Sequence, residues 1–403
     1  MPDRATPILS DLITAPLQSV RLRGLLWVIS AALMATTTPV EGQPLRAEVG
    51  GYAKHLTINA GTPVGEFVEA DRYWINLSRL RLQSWLDAGD WLSARADFDT
   101  EVLLGSYASS PAYRLSQELE RPTFADLDWR LSDGRNHDLQ QRFHRLYATA
   151  DFDAVRLRMG RQRIHWGTGS IWNPTDVLNP VDPTQIERAE ERGVDAVHVS
   201  VPRGVYSNIE LAFAPGWTGT AASLGARAST FVRGTDVSVM GGRFRGRTIV
   251  GGDFAATWRG AGISGEAAYT FRDDRSNYLR AILNADHMWR NGTRTMVELF
   301  LNGLGATSPD DYEPELLLNG EAFNLGRHYA AGLVSHPITP LLEGSFYTLF
   351  NMNDQSALLG PALQYSMAQD LDLQLAAYLL VGSDESEFGG RGAIYFATLQ
   401  YYF

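Results

Sequence analysis

Leu92-Ser93-Ala94-Arg95-Ala96-Asp97-Phe98-Asp99-Thr100-Glu101-Val102-Leu103-Leu104 alternates with a period of two. Ala94, Ala96, Phe98, Val102 and Leu104 fall on one face, and Arg95, Asp97, Asp99 and Glu101 on the other. Side chains of an extended strand point alternately to opposite faces, so this run reads as a strand with one apolar and one charged side. The same period recurs outward from it. Leu371, Leu373, Leu375, Ala377 and Leu379 oppose Asp372, Gln374 and Tyr378, while Val155, Leu157 and Met159 oppose Arg156 and Arg158. The alternation divides the chain from residue 46 onward into about 18 segments of roughly ten residues, the length a tilted strand needs to cross a bilayer.

A soluble sandwich would alternate too, so the connections must discriminate. Short turns such as 87–90, Asp153, 202–204, Arg233-Gly234-Thr235, Arg259-Gly260-Ala261 and Asn291-Gly292 fall in one parity class. The longer connections 59–71, 105–140, 164–192, 214–218, 272–277, 302–325 and 382–391 fall mostly in the other. This is the pattern of a transmembrane barrel with periplasmic turns, and an even strand count puts both ends of the barrel on the short-turn side.

Composition fits. The 403 residues are 44% hydrophobic and 20% charged, with 11% aromatics and no Cys. Mean hydropathy is −0.18, and the longest apolar run, Gly24 to Ala35, is too short for a spanning helix. A net charge of −11 argues against a nucleic-acid partner, which needs a basic face. Ahead of the strands, Arg21 and Arg23 precede Leu25–Ala35 and the small-residue pattern Val40-Glu41-Gly42. This reads as a secretory signal peptide over 1–42, leaving 43–403 as a single barrel domain.

The chain ends Tyr395-Phe396-Ala397-Thr398-Leu399-Gln400-Tyr401-Tyr402-Phe403. With its terminal aromatic, this strand resembles the last strand of Gram-negative outer-membrane β-barrels. That resemblance makes Phe403 the signal read by the barrel-assembly machinery. The expected fold is all-β, a transmembrane antiparallel up-and-down barrel of about 18 strands, 16 being the alternative. The expected location is the outer membrane, among its lipids and lipopolysaccharide, as either a homotrimer or a monomer.

In such a barrel the polar parity faces the lumen, because Arg on the lipid face would cost about 2–4 kcal/mol at the midplane. The candidate channel-lining residues are therefore Arg79, Arg81, Arg95, Asp97, Asp99, Glu101, Arg145, Arg156 and Arg158, with Asp151 beside them. Arg and carboxylate on adjacent strands can pair across the ladder, giving either a sealed wall or a polar channel. Of the basic residues, all but Lys54 are Arg, whose planar forks suit carboxylate or phosphate groups.

The densest motif runs from Gly160 to Pro183 and contains Trp166, Trp172 and the Asn173-Pro174-Thr175-Asp176, Asn179-Pro180 and Asp182-Pro183 steps. X-Pro steps force extended or turn geometry and cannot continue a ladder. By count this is the third long loop, which in general porins folds into the barrel, and the string also resembles one in alginate-export-type barrels. The resemblance implies a constriction loop over 164–192 that includes Trp166, Asn173, Asp176, Asn179 and Asp182. Asp176, Asp182, Glu187, Glu190 and Glu191 would then face the Arg-rich wall across an eyelet.

Hydrolase signals are weaker. His198-x-Ser200 resembles the His-x-Ser of outer-membrane phospholipases and deacylases, yet it sits near the short-turn end and lacks the Ser-Asn-Gly-Arg continuation. His137-Asp138 and Asp310-Asp311 are a second pair of candidates, in separate loops. No metal spacing or cofactor fingerprint occurs, so no cofactor or metal is expected. The leading expectation is a porin-like channel for passive passage of small polar or anionic solutes, not an enzyme. The alternatives are an export channel with a periplasmic partner and a structural or adhesin barrel with a filled lumen; a hydrolase ranks last.

Overall fold

The computed structural model describes residues 45–61, 72–119, 123–187, 192–216, 221–273, 275–318, 320–390 and 392–403. The signal segment 1–42, Glu190 and Glu191 lie outside them. In chain order the strands are β1 (Leu45–Gly61), β2 (Arg72–Ala88), β3 (Leu92–Leu104), β4 (Asp128–Gly134), β5 (His137–Phe152), β6 (Val155–Gln162), β7 (Val194–Arg203), β8 (Ser207–Ala214), β9 (Ser223–Val232) and β10 (Thr235–Phe244). They continue with β11 (Arg247–Trp258), β12 (Ala261–Phe271), β13 (Tyr278–Met288), β14 (Arg294–Asn302), β15 (His328–Thr339), β16 (Leu342–Asn351), β17 (Ser356–Ala368), β18 (Leu371–Val381) and β19 (Ala393–Tyr402). A helix, α1 (Pro111–Leu119), stands between β3 and β4.

Each barrel strand pairs antiparallel with the next, and β19 closes on β1 from Tyr52↔Tyr402 to Asn59↔Tyr395. Closure leaves no sheet edge, so backbone N–H and C=O groups meet partners where lipid offers none. The barrel has 18 strands, as the alternation foretold; β4 is an extra. It lies in the second long connection and pairs only with the upper half of β5, above the end of β6. In the sequence 105–140 reads as loop throughout, because Trp129-Arg130-Leu131-Ser132 is too short to show a period.

The apolar parity faces outward. Val239, Leu283, Val297 and Leu299 are 66%, 52%, 56% and 48% exposed, whereas Glu298 between the last two is 0% exposed. The outward row of β19 runs Tyr395, Ala397, Leu399, Tyr401, and Phe403 is tied to Gly51 of β1 by reciprocal backbone hydrogen bonds of 2.9 and 3.0 Å. Short turns cluster at that end. Arg233-Gly234 and Arg259-Gly260 have both central residues at positive φ, the backbone that two-residue hairpins of twisted strands require. At the other end Arg245-Gly246 makes an equally tight turn, so the long-loop side is not uniformly long.

One irregularity matters for the interior. Asp97 faces Arg145 and Phe98 faces Phe143, so His144 is an extra residue in β5. This bulge shifts parity by one, which puts Arg145, Tyr147 and Thr149 below it and Arg142, Gln140 and Asp138 above it on the same lumenal side.

Candidate functional site

The charged parity of β2, β3 and β5 forms a ladder of ion pairs. Arg81 grips Asp99 with two bonds of 2.6 Å, Arg95 grips Asp97 with two of 2.9 Å, and Arg79 Nε meets Glu101 at 2.5 Å. Arg142 adds a 2.9 Å bond to the other oxygen of Glu101. The register explains the choice of partner: Arg79 lies opposite Glu101, and Arg81 opposite Asp99. Asp97 and Asp99 are each 1% exposed, so the guanidinium forks replace the water these carboxylates give up.

Toward the short-turn end the ladder opens. Arg158 lies over the Tyr147 ring at 4.7 Å and Arg95 over Trp85 at 5.1 Å, while Arg156 bonds Asp151 at 2.5 Å with more than half its side chain exposed. These residues, with Glu48 and Asp87, line a cavity of 430 Å³. A second cavity, of 520 Å³, lies at the long-loop end, between β1–β5, β17–β19 and α1.

The described part of this loop, 163–187, crosses the interior. Three Pro residues exclude it from the ladder, and its apolar side chains dock on two lumenal patches instead. Ile164, Trp166 and Leu178 pack among Ala196, Ala212, Ala214, Met240, Phe244 and Ala268, where short side chains leave room for the indole. Ile171 and Trp172 pack against Ile282, Met296, Phe300, Tyr329 and Leu349, and the Trp172 ring stacks on Phe300 at 4.9 Å.

Two wall carboxylates receive the loop backbone. Glu298 accepts from the N–H groups of Ser170 and Trp172 at 2.8 Å and of Ile171 at 3.2 Å, and from the Asn284 amide at 3.0 Å. Glu266 accepts from the N–H groups of Thr168, Gly169 and Thr175 and from the Thr175 hydroxyl. Such a cradle satisfies both the turn's donors and the buried charge.

The loop residues read from the sequence hold its shape. Asn179 closes the base, accepting from Ile164 N–H at 3.0 Å and donating to Arg192 C=O at 2.9 Å. Asp176 accepts from His165 Nδ1 at 2.6 Å and from Asn179 N–H at 3.2 Å. Its hydrogen bond raises the His165 imidazole above the usual range against the opposing effect of burial, and burial pushes the Asp176 carboxyl up. Asn173 donates to Gly169 C=O, Asp182 caps Thr184, and the Trp166 indole donates to Glu210 at 3.2 Å. Of the described loop carboxylates, Glu187 touches the Arg wall directly, at 3.0 Å from Arg79 and 3.1 Å from Lys54, while Asp176 bonds His165 and Asp182 bonds Thr184.

Sequence reasoning missed Glu210, Glu266 and Glu298. The signal was present: Glu298 is a lone carboxylate at lumenal parity between Met296 and Phe300, with Ala331 opposite it on β15. A buried charge with no basic partner on the ladder needs backbone donors from elsewhere. The hydrolase candidates do not assemble. His198 pairs with Glu210 at 3.0 Å and Ser200 donates to Asn208 at 2.9 Å, both across to β8, while Asp138 accepts from Tyr113. Among the described residues no group of His, Cys, Asp and Glu is arranged to hold a metal ion.

No protein-family model and no curated protein matches the chain. Solved outer-membrane porins match it in shape. OccAB4 of Acinetobacter baumannii superposes with a TM-score of 0.56 at 10% identity, over 91% of this chain and 100% of its own. OccAB1 of the same organism gives 0.55 at 9% over 92% and 99%, and OccD3 (OpdP) of Pseudomonas aeruginosa gives 0.52 at 8% over 91% and 95%. At such identities the likeness is one of fold alone: the chain folds as a closed 18-stranded antiparallel β-barrel, similar in shape to those proteins.

Proposed function

We propose that the protein is a passive outer-membrane channel for small polar or anionic solutes, with 164–192 as its constriction loop. The observation that carries this reading is a pair of cavities at the two ends of the Arg ladder. The loop packs over 164–178 on the β7–β16 side, while 184–187 reach across to the ladder at Glu187 and line the outer cavity. A solute would pass from the outer cavity along the Arg79, Arg81, Arg95 and Arg145 ladder to Arg156 and Arg158. Most ladder cations are neutralised by carboxylates; the exposed forks of Arg156 and Arg158 at the short-turn end favour anions. Passage in this reading is diffusion filtered by radius and charge. Export would use the 1–42 signal peptide, and insertion would use the terminal strand ending in Phe403.

Proteoliposome swelling with refolded 43–403 tests the reading. Swelling in arabinose and in gluconate is expected, with the gluconate rate falling selectively in Arg156→Gln/Arg158→Gln. Liposomes that stay impermeable to both solutes refute a channel.

A further inference from the structure

The rim at the short-turn end divides by charge. The four consecutive turns between β7 and β14 carry one Arg each: Arg203, Arg233, Arg259 and Arg290. Elsewhere the sign reverses. Asp87 and Asp90 flank the β2–β3 turn, Asp153 lies between β5 and β6, Asp370 lies between β17 and β18, and the β15–β16 turn has no charge at its tip. All four Arg side chains are exposed, and among the described residues none of them meets a carboxylate. The backbone does not call for Arg either. Arg233 and Arg259 stand at φ 51° and 52°, on the first position of two-residue turns, where Gly, Asn or Asp fits the left-handed conformation better.

The surface beside these tips faces lipid. Trp258 and Trp289 share the outward parity of Phe254 and Leu283 and are 61% and 52% exposed. The Arg259 guanidinium lies 5.0 Å from the Trp258 ring centroid, and Arg203 continues the outward row of Val199 and Val201. The carboxylates at this end of the same strands, Asp236 and Asp286, fall on the lumenal parity with Ser238 and Asn284. Outward-facing aromatics also occur on the other half, at Tyr365 and Tyr401, so the belt that marks headgroup depth runs on while the charge changes. Neighbouring turns stand two strand spacings apart, about 10 Å, which lets each Arg serve a separate headgroup.

We propose that the β7–β14 half of this rim is a docking surface for anionic phospholipids, whose phosphodiester groups are held by Arg203, Arg233, Arg259 and Arg290 while Trp258 and Trp289 lie against the ester region and upper acyl chains. Charge complementarity and the exposed indoles together select this occupant. An acidic protein or a soluble anion would meet the Arg tips and leave the apolar row beside them unused, whereas a phospholipid covers both. The Asp-bearing half repels the same headgroups, so the barrel gathers such lipids on one side. This surface lies outside the proposed solute path and needs only that the barrel sits in a bilayer.

Tryptophan fluorescence of refolded 43–403 in phosphatidylcholine vesicles tests it, with brominated phosphatidylglycerol or brominated phosphatidylcholine as the quenching component. The difference between wild type and Trp258→Phe/Trp289→Phe isolates the two rim indoles. Phosphatidylglycerol is expected to be preferred there about fivefold at low salt, the factor one Arg contributes at a charged surface, and the preference should fade at about 1 M salt. Arg203→Gln/Arg233→Asn/Arg259→Asn/Arg290→Gln should bring the ratio to about one, with heat-modifiable gel mobility as the control for barrel closure. Should that variant fail to close, Arg203→Gln/Arg290→Gln keeps both positive-φ turns and is expected to lower the preference about twofold. A wild-type ratio near one, a ratio unchanged in closed Arg variants, or a preference undiminished in Trp258→Phe/Trp289→Phe overturns the proposal. No lipid preference together with Arg-dependent binding of poly-glutamate to the vesicles gives the rim to an acidic protein and overturns it as well. Ion conductance of the same vesicles reads the channel separately.

Discussion

Removing the carboxylate cradle should free the loop without unfolding the barrel. Glu298 holds three consecutive N–H groups and Glu266 three more, so each substitution to Ala leaves three backbone donors without their acceptor. Hydrogen bonds to a charged group are worth about 1.5–3 kcal/mol apiece, which puts the gross loss for Glu298→Ala near 5–9 kcal/mol. Relief of the cost of burying the carboxylate offsets part of this, and the neutral donors that stay buried without an acceptor cost about 1–3 kcal/mol each. The Trp166 and Trp172 contacts remain, so the single variant loosens 167–175 locally, and Glu266→Ala/Glu298→Ala should release it. Planar-bilayer recording checks the consequence, with heat-modifiable gel mobility as the control for barrel closure. The double variant is expected to conduct more than wild type, with larger current noise, and Glu298→Gln to fall between because it keeps one acceptor oxygen. A closed double variant with unchanged conductance and protected amides at 168–172 would refute the idea that the loop narrows the path.

Other expectations follow from single contacts. Arg81→Met leaves Asp99 buried without its bidentate partner and should lower barrel stability in urea by about 3–5 kcal/mol, whereas Arg81→Met/Asp99→Leu should recover most of that loss. His165 is raised by Asp176, so its stabilisation of the loop is fully present below the ordinary imidazole value of 6.5 and is lost as pH rises through the raised value. Amides of 164–179 should therefore exchange faster at pH 9 than at pH 6 beyond the intrinsic rate change, and His165→Ala should remove the difference. Deleting Phe403 removes the reciprocal bonds to Gly51 and the terminal aromatic; the truncated chain is expected to accumulate unassembled in cells, as a gel-shift assay of membranes would show.

How far the sequence could be read depended on the range of the interactions. Strand alternation is local, so Leu92–Leu104 and its counterparts fixed the wall, its parity and its closure. The pairs on β2 and β3 were legible for the same reason, since hairpin register places Arg79 beside Glu101. The cradle was not legible: Glu298 and Ser170 are 128 positions apart, and only the folded-in loop brings them together. Asp176 and Asp182 read in the sequence as carboxylates facing the lumen, because alternation does not extend into a Pro-rich loop and cannot say which turn contacts they make, Asp176 with His165 and Asp182 with Thr184. The His144 bulge was hidden because one inserted residue is indistinguishable from ordinary sequence until its partner strand is known.

In the proposed channel, charge selectivity is set beside β2–β6, and the reversal potential of single refolded channels under a salt gradient reads it for wild type and for Arg156→Glu/Arg158→Glu. Discrete steps with a preference for anions are expected, with a shift of the reversal potential toward cations in the variant. Membranes without steps, or steps whose reversal potential ignores the substitution, would overturn the proposed channel.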